Sequence, residues 1–195
     1  MPQRARAGRT PWDEGVRAVR SGAVVCYPTD TLWGLGADPS RPEALRLLAE
    51  IKERPAGMPV SVAFSSLEEL EPWVLLSPRD RGLLRTYLPG PYTFLLRASP
   101  RARRRWAPAV LGPGGRLGIR VPDHPGARAF LAATGPLTST SANRHGDPPV
   151  RDVNEARSTF GSRVSAYVAA PPGPRGEPST VVDLVGPSPR AVRRV

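Results

Sequence analysis

Four polar clusters stand where predicted strands or helices end, and they share one kind of chemistry. Strand-end loops are where α/β proteins assemble sites, because the sheet fixes their relative positions. Hydroxyl, amide and cationic groups bind phosphates and carboxylates, and they act by positioning and by stabilising charge, as in phosphoryl and nucleotidyl transfer. The clusters therefore predict an anion-binding site. They are Thr29/Asp30/Thr31, Lys52/Arg54, Ser139/Ser141/Asn143 and Ser179/Thr180.

Each cluster also has a purely structural interpretation. Asp30 and the threonines beside it could form an Asx or hydroxyl turn. Lys52 and Arg54 follow a predicted helix, where cations interact favourably with the helix dipole. The Ser-Ala-Asn stretch could be a plain turn. Arg120 alternates with apolar residues in "LGIRV", so its side chain is expected to face away from the core. The order of the clusters along the chain favours the functional interpretation.

Several other kinds of site are excluded. No GxxxxGK(S/T) occurs, and the glycines of "WGLGADP" do not form a GxGxxG pattern. His124 and His145 are the only histidines, and neither stands near a plausible set of metal ligands, so no metal site is expected. We interpret His124 as a helix-start residue and His145 as loop surface. Cys26 is the single cysteine, and its place in an apolar run indicates a small buried side chain.

The elements that must position the clusters alternate irregularly, which predicts an α/β (α+β) fold with a mixed sheet and helices packed on it. The apolar segment Leu32–Gly36 is predicted to be a glycine-bearing turn, and 101–115 a long basic loop. Another strand begins within "SPRAVRRV", and a helix lies between Thr10 and Gly22. The other predicted strands cover 23–27, 59–64, 92–98, 117–121, 164–168 and 179–184, and 136–143 is predicted to be a short strand that runs into a polar turn. The second helix is predicted to open within 40–43 and to reach Ile51, and the other predicted helices cover 66–72, 78–88, 124–133 and 151–160.

Composition favours a single cytoplasmic domain over residues 1–195, with its core from about residue 12 and a flexible 1–9. No apolar stretch approaches the roughly 20 residues that cross a bilayer, and the basic N-terminus leads into no apolar signal region. The net charge of +11 indicates an anionic partner or a generally basic surface. Every basic residue except Lys52 is arginine, as in proteins of GC-rich genomes.

Taken together, the clusters resemble the YrdC-like family of threonylcarbamoyl-AMP synthases, in its short single-domain bacterial type. The resemblance covers about residues 12–195 and implies a twisted, open α/β sheet with a basic concave face. Six motifs carry it in collinear order: YPT(D/E)TxxGLG at Tyr27–Gly36, KxRP at Lys52–Pro55, PGPxTF at Pro89–Phe94, RxPDHP at Arg120–Pro125, STSANxxGxPP at Ser139–Pro149 and STVVD at Ser179–Asp183.

This resemblance implies a reaction as well as a fold. L-threonine, bicarbonate (or CO2) and ATP would give L-threonylcarbamoyl-adenylate and pyrophosphate, the first step of threonylcarbamoyladenosine formation in tRNA. Mg²⁺ would arrive with ATP, and no organic cofactor or membrane is implied. Expected partners are tRNA or double-stranded RNA and the proteins of the downstream threonylcarbamoyl transfer.

The family motifs also assign roles to residues of this chain. Lys52 and Arg54 would be the catalytic cations, and Arg120 is a further candidate for the anion site. L-threonine would be held by Thr29, Arg54 and Ser179. ATP would be held by Lys52, Arg54, Ser139, Ser141, Asn143 and a C-terminal arginine, Arg194 or Arg193.

Two departures and two alternatives accompany this assignment. Many relatives have lysine where Met58 stands and histidine where Ala63 stands. One alternative is a non-catalytic YrdC-like module for RNA binding or ribosome maturation, supported by the basic residues 101–105 beside Trp106, since arginines next to an aromatic ring can hold single-stranded RNA. The other is a carbamoyltransferase-type relative that uses carbamoyl phosphate.

Overall fold

Ten strands among the described residues form one mixed sheet at the centre of the protein. The computed structural model describes residues 12–55 and 58–193. In chain order the strands are β1 (Val25–Tyr27), β2 (Gly34–Gly36), β3 (Ser61–Ala63), β4 (Tyr92–Arg97), β5 (Leu111–Gly112), β6 (Arg116–Arg120), β7 (Leu137–Ser141), β8 (Ala166–Tyr167), β9 (Thr180–Asp183) and β10 (Arg190–Arg193).

The sheet order is β10-β9-β4-β6-β3-β7-β2-β1-β8, with β5 paired to β6. The pairs β1/β8, β3/β6 and β4/β9 are parallel, and the remaining pairs are antiparallel. Because β10 and β8 are edge strands at the two ends of this order, the sheet is open. The predicted mixed sheet with helices packed on it is confirmed.

The helices begin at local signals that the sequence carries. Ser77 and Asp80 form a reciprocal capping box at the start of one helix, and Asp152 caps another. The side chain of His124 also serves as an N-cap, as predicted. The helices of the described residues are α1 (Asp13–Arg20), α2 (Pro42–Ile51), α3 (Leu67–Leu70), α4 (Pro78–Tyr87), α5 (Pro100–Arg105), α6 (Pro125–Thr134) and α7 (Val153–Phe160).

Apolar side chains lie on both faces of the sheet, because successive residues of a strand point to opposite sides. In β1, Cys26 belongs to one core cluster, while Val25 and Tyr27 belong to the other. The first cluster is completed by α2, α3, α4, α5 and α7, and the second by α1 and α6. The protein therefore has three layers, with two helices on the second face.

Those two helices leave part of the second face open, and polar side chains replace apolar ones there. Ala63 of β3 lies under the helices in the second cluster. Ser61, two residues earlier, points to the same side but lines a cavity. Gly118 makes room for it, since a Cβ there would lie 2.5 Å from the Ser61 hydroxyl oxygen. The open face also carries Thr93, Arg120, Ser139, Ser141 and Val181.

Two predicted elements are wrong. Leu32–Gly36 was predicted to be a turn, but Gly34–Gly36 is strand β2, paired with both β1 and β7. The predicted loop 101–115 contains helix α5, which Ser99 caps by accepting a hydrogen bond from the backbone N–H of Ala102. Predicted features at Thr10 and at residues 1–9 lie outside the described residues. None of the helices in the described part is long and apolar enough to span a membrane.

The second glycine of β2, Gly36, is explained by Tyr27, which stands on the neighbouring strand. Tyr27 pairs with Gly34 in the ladder, and its fully buried ring lies across the strand. A Cβ built on Gly36 would be 2.8 Å from Cε1 of Tyr27 and 3.3 Å from the carbonyl oxygen of Thr138. A side chain at Gly36 would therefore displace the ring from the core.

We expect Gly36→Ala to lower the free energy of unfolding by about 1–3 kcal/mol, because the added methyl group overpacks the core. Urea denaturation would measure the loss. Gly82→Ala is the matched control: no atom of the described residues lies within 4 Å of its Cβ position, and alanine in a helix is more stable than glycine by about 0.5–1 kcal/mol. Equal effects of the two variants would contradict the packing explanation.

Candidate active site

A cavity of about 380 Å³ lies on the open face of the sheet, and every predicted cluster contributes to its wall. Lys52 and Asn143 are in contact with each other but do not line the cavity. Arg194 lies outside the described residues, and only the backbone of Arg193, in β10, is described. The predicted site residues that line the cavity are Thr29, Arg54, Arg120, Ser139, Ser141 and Ser179.

A buried ion pair between Arg120 and Asp30 joins two sides of the cavity. Nη2 of Arg120 lies 2.6 Å from Oδ1 of Asp30, and the side chains are only 7% and 1% exposed. Oδ2 of Asp30 has no hydrogen-bond partner among the described residues. The prediction that Arg120 turns away from the apolar core is right, but the side chain enters a second buried environment instead of solvent.

Arg120 also orders the threonines of the turn between β1 and β2. Its Nη1 donates to the hydroxyl of Thr31 at 3.0 Å. The hydroxyl of Thr29 donates to the carbonyl of Leu32 at 2.8 Å and lies 3.0 Å from that of Thr31. Since a hydroxyl has one proton, Thr31 is the donor in this contact. The hydrogen bonds thus run from Arg120 through Thr31 and Thr29 to Leu32.

The structural interpretation of this turn, a hydroxyl turn, is confirmed. The oxygen of Thr29 accepts from the backbone N–H groups of Thr31 and Leu32, each at 3.2 Å, which closes a hydroxyl turn. Both threonines nevertheless line the cavity. The turn therefore holds two hydroxyls in fixed positions at the cavity wall.

Ser179 and Thr93 form a second pair of hydroxyls, on the opposite wall. Their oxygens lie 2.9 Å apart, and both residues are buried. Sequence reasoning missed Thr93 and Ser61 as cavity residues. A signal for both existed: each polar side chain stands in a predicted strand on the side opposite its apolar neighbours, where it cannot serve the first core cluster.

Lys52 is buried and holds the turn that follows β7. Its ammonium donates to the carbonyl oxygens of Ser141 at 2.6 Å and Asn143 at 2.8 Å, and to Oδ1 of Asn143 at 3.2 Å. Lys52 as a whole is only 4% exposed. Burial, and to a smaller extent the charge of Arg54, lowers the pKa of Lys52 from 10.5 to about 8.

Arg54 reaches the cavity because the chain turns sharply at Glu53. Glu53 has a φ of 52°, in the left-handed region that costs a residue with a side chain of the order of 1–2 kcal/mol. Its carboxylate lies 3.3 Å from Arg144 and 3.9 Å from Arg163. Arg54 donates to the carbonyl oxygens of Met58 and Pro59 at the entrance to β3. The turn thus separates the buried Lys52 from Arg54 at the cavity.

The described residues contain no group of three or more His, Cys, Asp or Glu side chains that could hold a metal ion. His124 is buried at the start of α6, away from the cavity wall. What this arrangement offers chemically is a set of hydroxyls with two guanidinium groups, that of Arg54 and that of Arg120, whose charge Asp30 compensates. Such groups bind anionic oxygens and stabilise charge that develops on them.

Comparison with known proteins decides the family. The sequence model of the Sua5/YciO/YrdC family, described as "Telomere recombination", matches residues 17–195. The chain belongs to this family. A threonylcarbamoyl-AMP synthase of Chromohalobacter salexigens is 39% identical over 173 residues, which are 88% of this chain and 91% of that protein. The predicted family and the prediction that the chain is an enzyme are confirmed.

Solved structures of Sua5/YciO/YrdC proteins have the same fold. E. coli YciO superposes with a TM-score of 0.82 at 30% identity, over 92% of this chain and 86% of that one. Sua5 of P. abyssi, in complex with L-threonine, superposes with a TM-score of 0.84 at 26% identity over 95% of this chain. This chain spans 55% of the length of that Sua5 protein.

The lowered pKa of Lys52 predicts how stability changes with pH. Below pH about 8 the amine of Lys52 is protonated in both the folded and the unfolded chain, and burial of the charge destabilises the fold in full. Between pH about 8 and 10.5 only the unfolded chain keeps the proton, because the pKa is lowered in the folded protein. The free energy of unfolding, measured relative to Lys52→Met, should therefore rise with pH across this window.

Urea denaturation at several pH values would measure this difference. Lys52→Arg is the control, since a guanidinium stays protonated throughout the window and the difference should then be flat. If the free energy of unfolding of the wild type, relative to that of Lys52→Met, stays constant or falls as the pH rises, the result would contradict the burial of Lys52.

Proposed function

We propose that this chain is an L-threonylcarbamoyladenylate synthase, which makes this adenylate and pyrophosphate from L-threonine, bicarbonate or CO2, and ATP. The observation that carries the proposal is the cavity on the open face of the sheet. It brings hydroxyls from three of the predicted clusters together with Arg54 of the fourth and with Arg120, in a chain 39% identical to a threonylcarbamoyl-AMP synthase.

The chemistry requires positioning and charge stabilisation. The amine of threonine adds to CO2, which forms the N–C bond of a carbamate and releases a proton. A carbamate oxygen then attacks the α-phosphorus of ATP, and the bond to the bridging oxygen breaks to release pyrophosphate with its Mg²⁺. Negative charge shifts to the leaving phosphates, where cations stabilise the transition state. No covalent enzyme intermediate is needed.

The walls of the cavity suit different parts of the substrates. Thr29 and Thr31 lie beside the Arg120–Asp30 pair, and the family motif assigns Thr29 to L-threonine. Ser139 and Ser141 end β7, and with Arg54 they form the side for phosphates. Lys52 does not line the cavity and acts indirectly, because its ammonium holds the carbonyl oxygens of Ser141 and Asn143 in the turn after β7. Mg²⁺ is proposed to enter with ATP.

RNA binding without catalysis is less well supported. Trp106, the ring proposed to stack with a base, is 6% exposed. It stacks on Trp73 at a centroid distance of 4.1 Å, and the guanidinium of Arg101 covers the Trp73 ring at 4.5 Å. Neither ring has a free face for a base. We retain tRNA and the proteins of the downstream transfer as proposed partners.

Pyrophosphate release from ATP and bicarbonate, with and without L-threonine, tests the proposal. Release should depend on L-threonine in the folded wild type. Arg54→Ala should reduce the rate by about 10²-fold or more through loss of a cavity cation, and Lys52→Ala by a similar factor through release of its turn.

Arg104→Ala is the matched control, since Arg104 is exposed on α5 and does not line the cavity. It should keep the wild-type rate. Wild-type protein that binds ATP but releases no pyrophosphate in response to L-threonine would overturn the synthase. Salt-dependent RNA binding in such a protein would then favour the RNA-binding module.

A further inference from the structure

The chain that leads to Ser179 crosses the surface as a proline- and glycine-rich stretch, residues 171–178, called here the Pro/Gly segment. It lies between the active-site cavity and a second cavity of about 300 Å³, and Pro178 lines both. The residues of the segment are exposed or half-buried, whereas Ser179 is 6% exposed. Ser179 contacts Thr93 of β4, and β9 begins at Thr180, whereas the residues just before Ser179 have a cavity on each side and little apolar packing to hold them.

Hydrogen bonds must therefore fix the Pro/Gly segment, and it has few donors. Four of its eight residues are prolines, which have no backbone N–H. The N–H groups of Arg175 and Gly176 donate to the carbonyls of Asp30 and Thr31 at 3.3 and 2.9 Å, and the N–H of Thr180 donates to Pro91 at 3.0 Å. These bonds hold the end of the segment near Ser179.

The start of the segment is held by His124. The ring is 1% exposed, and its Nδ1 accepts the backbone N–H of Ala127 at 3.0 Å. The proton of the neutral ring is therefore on Nε2, which donates to the carbonyl of Pro172 at 2.7 Å. The first turn of α6 and the chain just before the segment also pack closely beside this bond. A Cβ on Gly126 would lie only 2.5 Å from the Cβ of Ala170.

We infer that His124 is a positioning residue: it ties the Pro/Gly segment to the start of α6 and so holds Ser179 at the wall of the cavity. The inference rests on the proposed function for the assignment of Ser179 to L-threonine. His124 does not line the cavity, and it acts only through the segment.

The variant His124→Asn separates the two hydrogen bonds of the ring. Asparagine is a strong N-cap and keeps an acceptor for Ala127, but its shorter side chain cannot also reach Pro172. Loss of one buried hydrogen bond should raise the KM for L-threonine by about tenfold and leave the KM for ATP unchanged. Cleavage by trypsin after the exposed Arg175 should accelerate by a similar factor.

His145→Asn is the matched control, because it makes the same substitution at the other, exposed histidine; it should change neither quantity. Unchanged cleavage and unchanged KM in folded His124→Asn would overturn the inference. Faster cleavage with an unchanged KM for L-threonine would also overturn it, since the segment would be tethered without positioning Ser179.

Two measurements keep the test independent of folding defects and of the proposed reaction. Saturating L-threonine should protect Arg175 of the wild type from trypsin, and absence of protection would count against the segment as part of the site. If His124→Asn is unfolded, His124→Ser provides another N-cap without the second bond. Should no turnover be found at all, the cleavage rates still decide whether His124 tethers the segment.

Discussion

The ion pair between Arg120 and Asp30 is the interaction on which the site depends. Its two members come from the end of β6 and from the turn after β1, and β3, β7 and β2 lie between those strands in the sheet. Removal of one member of such a buried pair typically costs about 3–5 kcal/mol, because the other charge is left without compensation. The pair therefore sets the distance across the cavity, and through Thr31 it also orients the hydroxyls of the turn.

The cavity exists because the second layer of helices is incomplete. Helices α1 and α6 cover the sheet around Tyr27 and Ala63 with apolar side chains. Further along the same face, Ser61 and Thr93 take the positions that an apolar side chain would need under a helix. The first face carries a continuous apolar core. The fold thus has its larger apolar core on one face, and on the other it places the cavity beside a smaller apolar cluster.

Local signals in the sequence predicted most elements, and tertiary contacts explain the rest. The helix caps and the alternation in "LGIRV" depend on neighbouring residues, so they could be recognised without a structure. The strand Gly34–Gly36 could not, because two glycines look like a turn until the ring of Tyr27 is known to need the space at Gly36. Members of all four predicted clusters do line one cavity, and their roles stay predictions. The burial of Lys52 was not predicted, since its partners stand about ninety residues further along the chain.

The position of Lys52 also affects how the protein responds to amine-reactive reagents. It is the only lysine in the sequence, and it is 4% exposed, so acylating reagents have no accessible ε-amine on the folded surface. Any label that appears on Lys52 must then report an opening of the contact between α2 and the turn after β7. Lys52 can therefore serve as a single internal labelling site that reports local opening beside the wall of the active-site cavity.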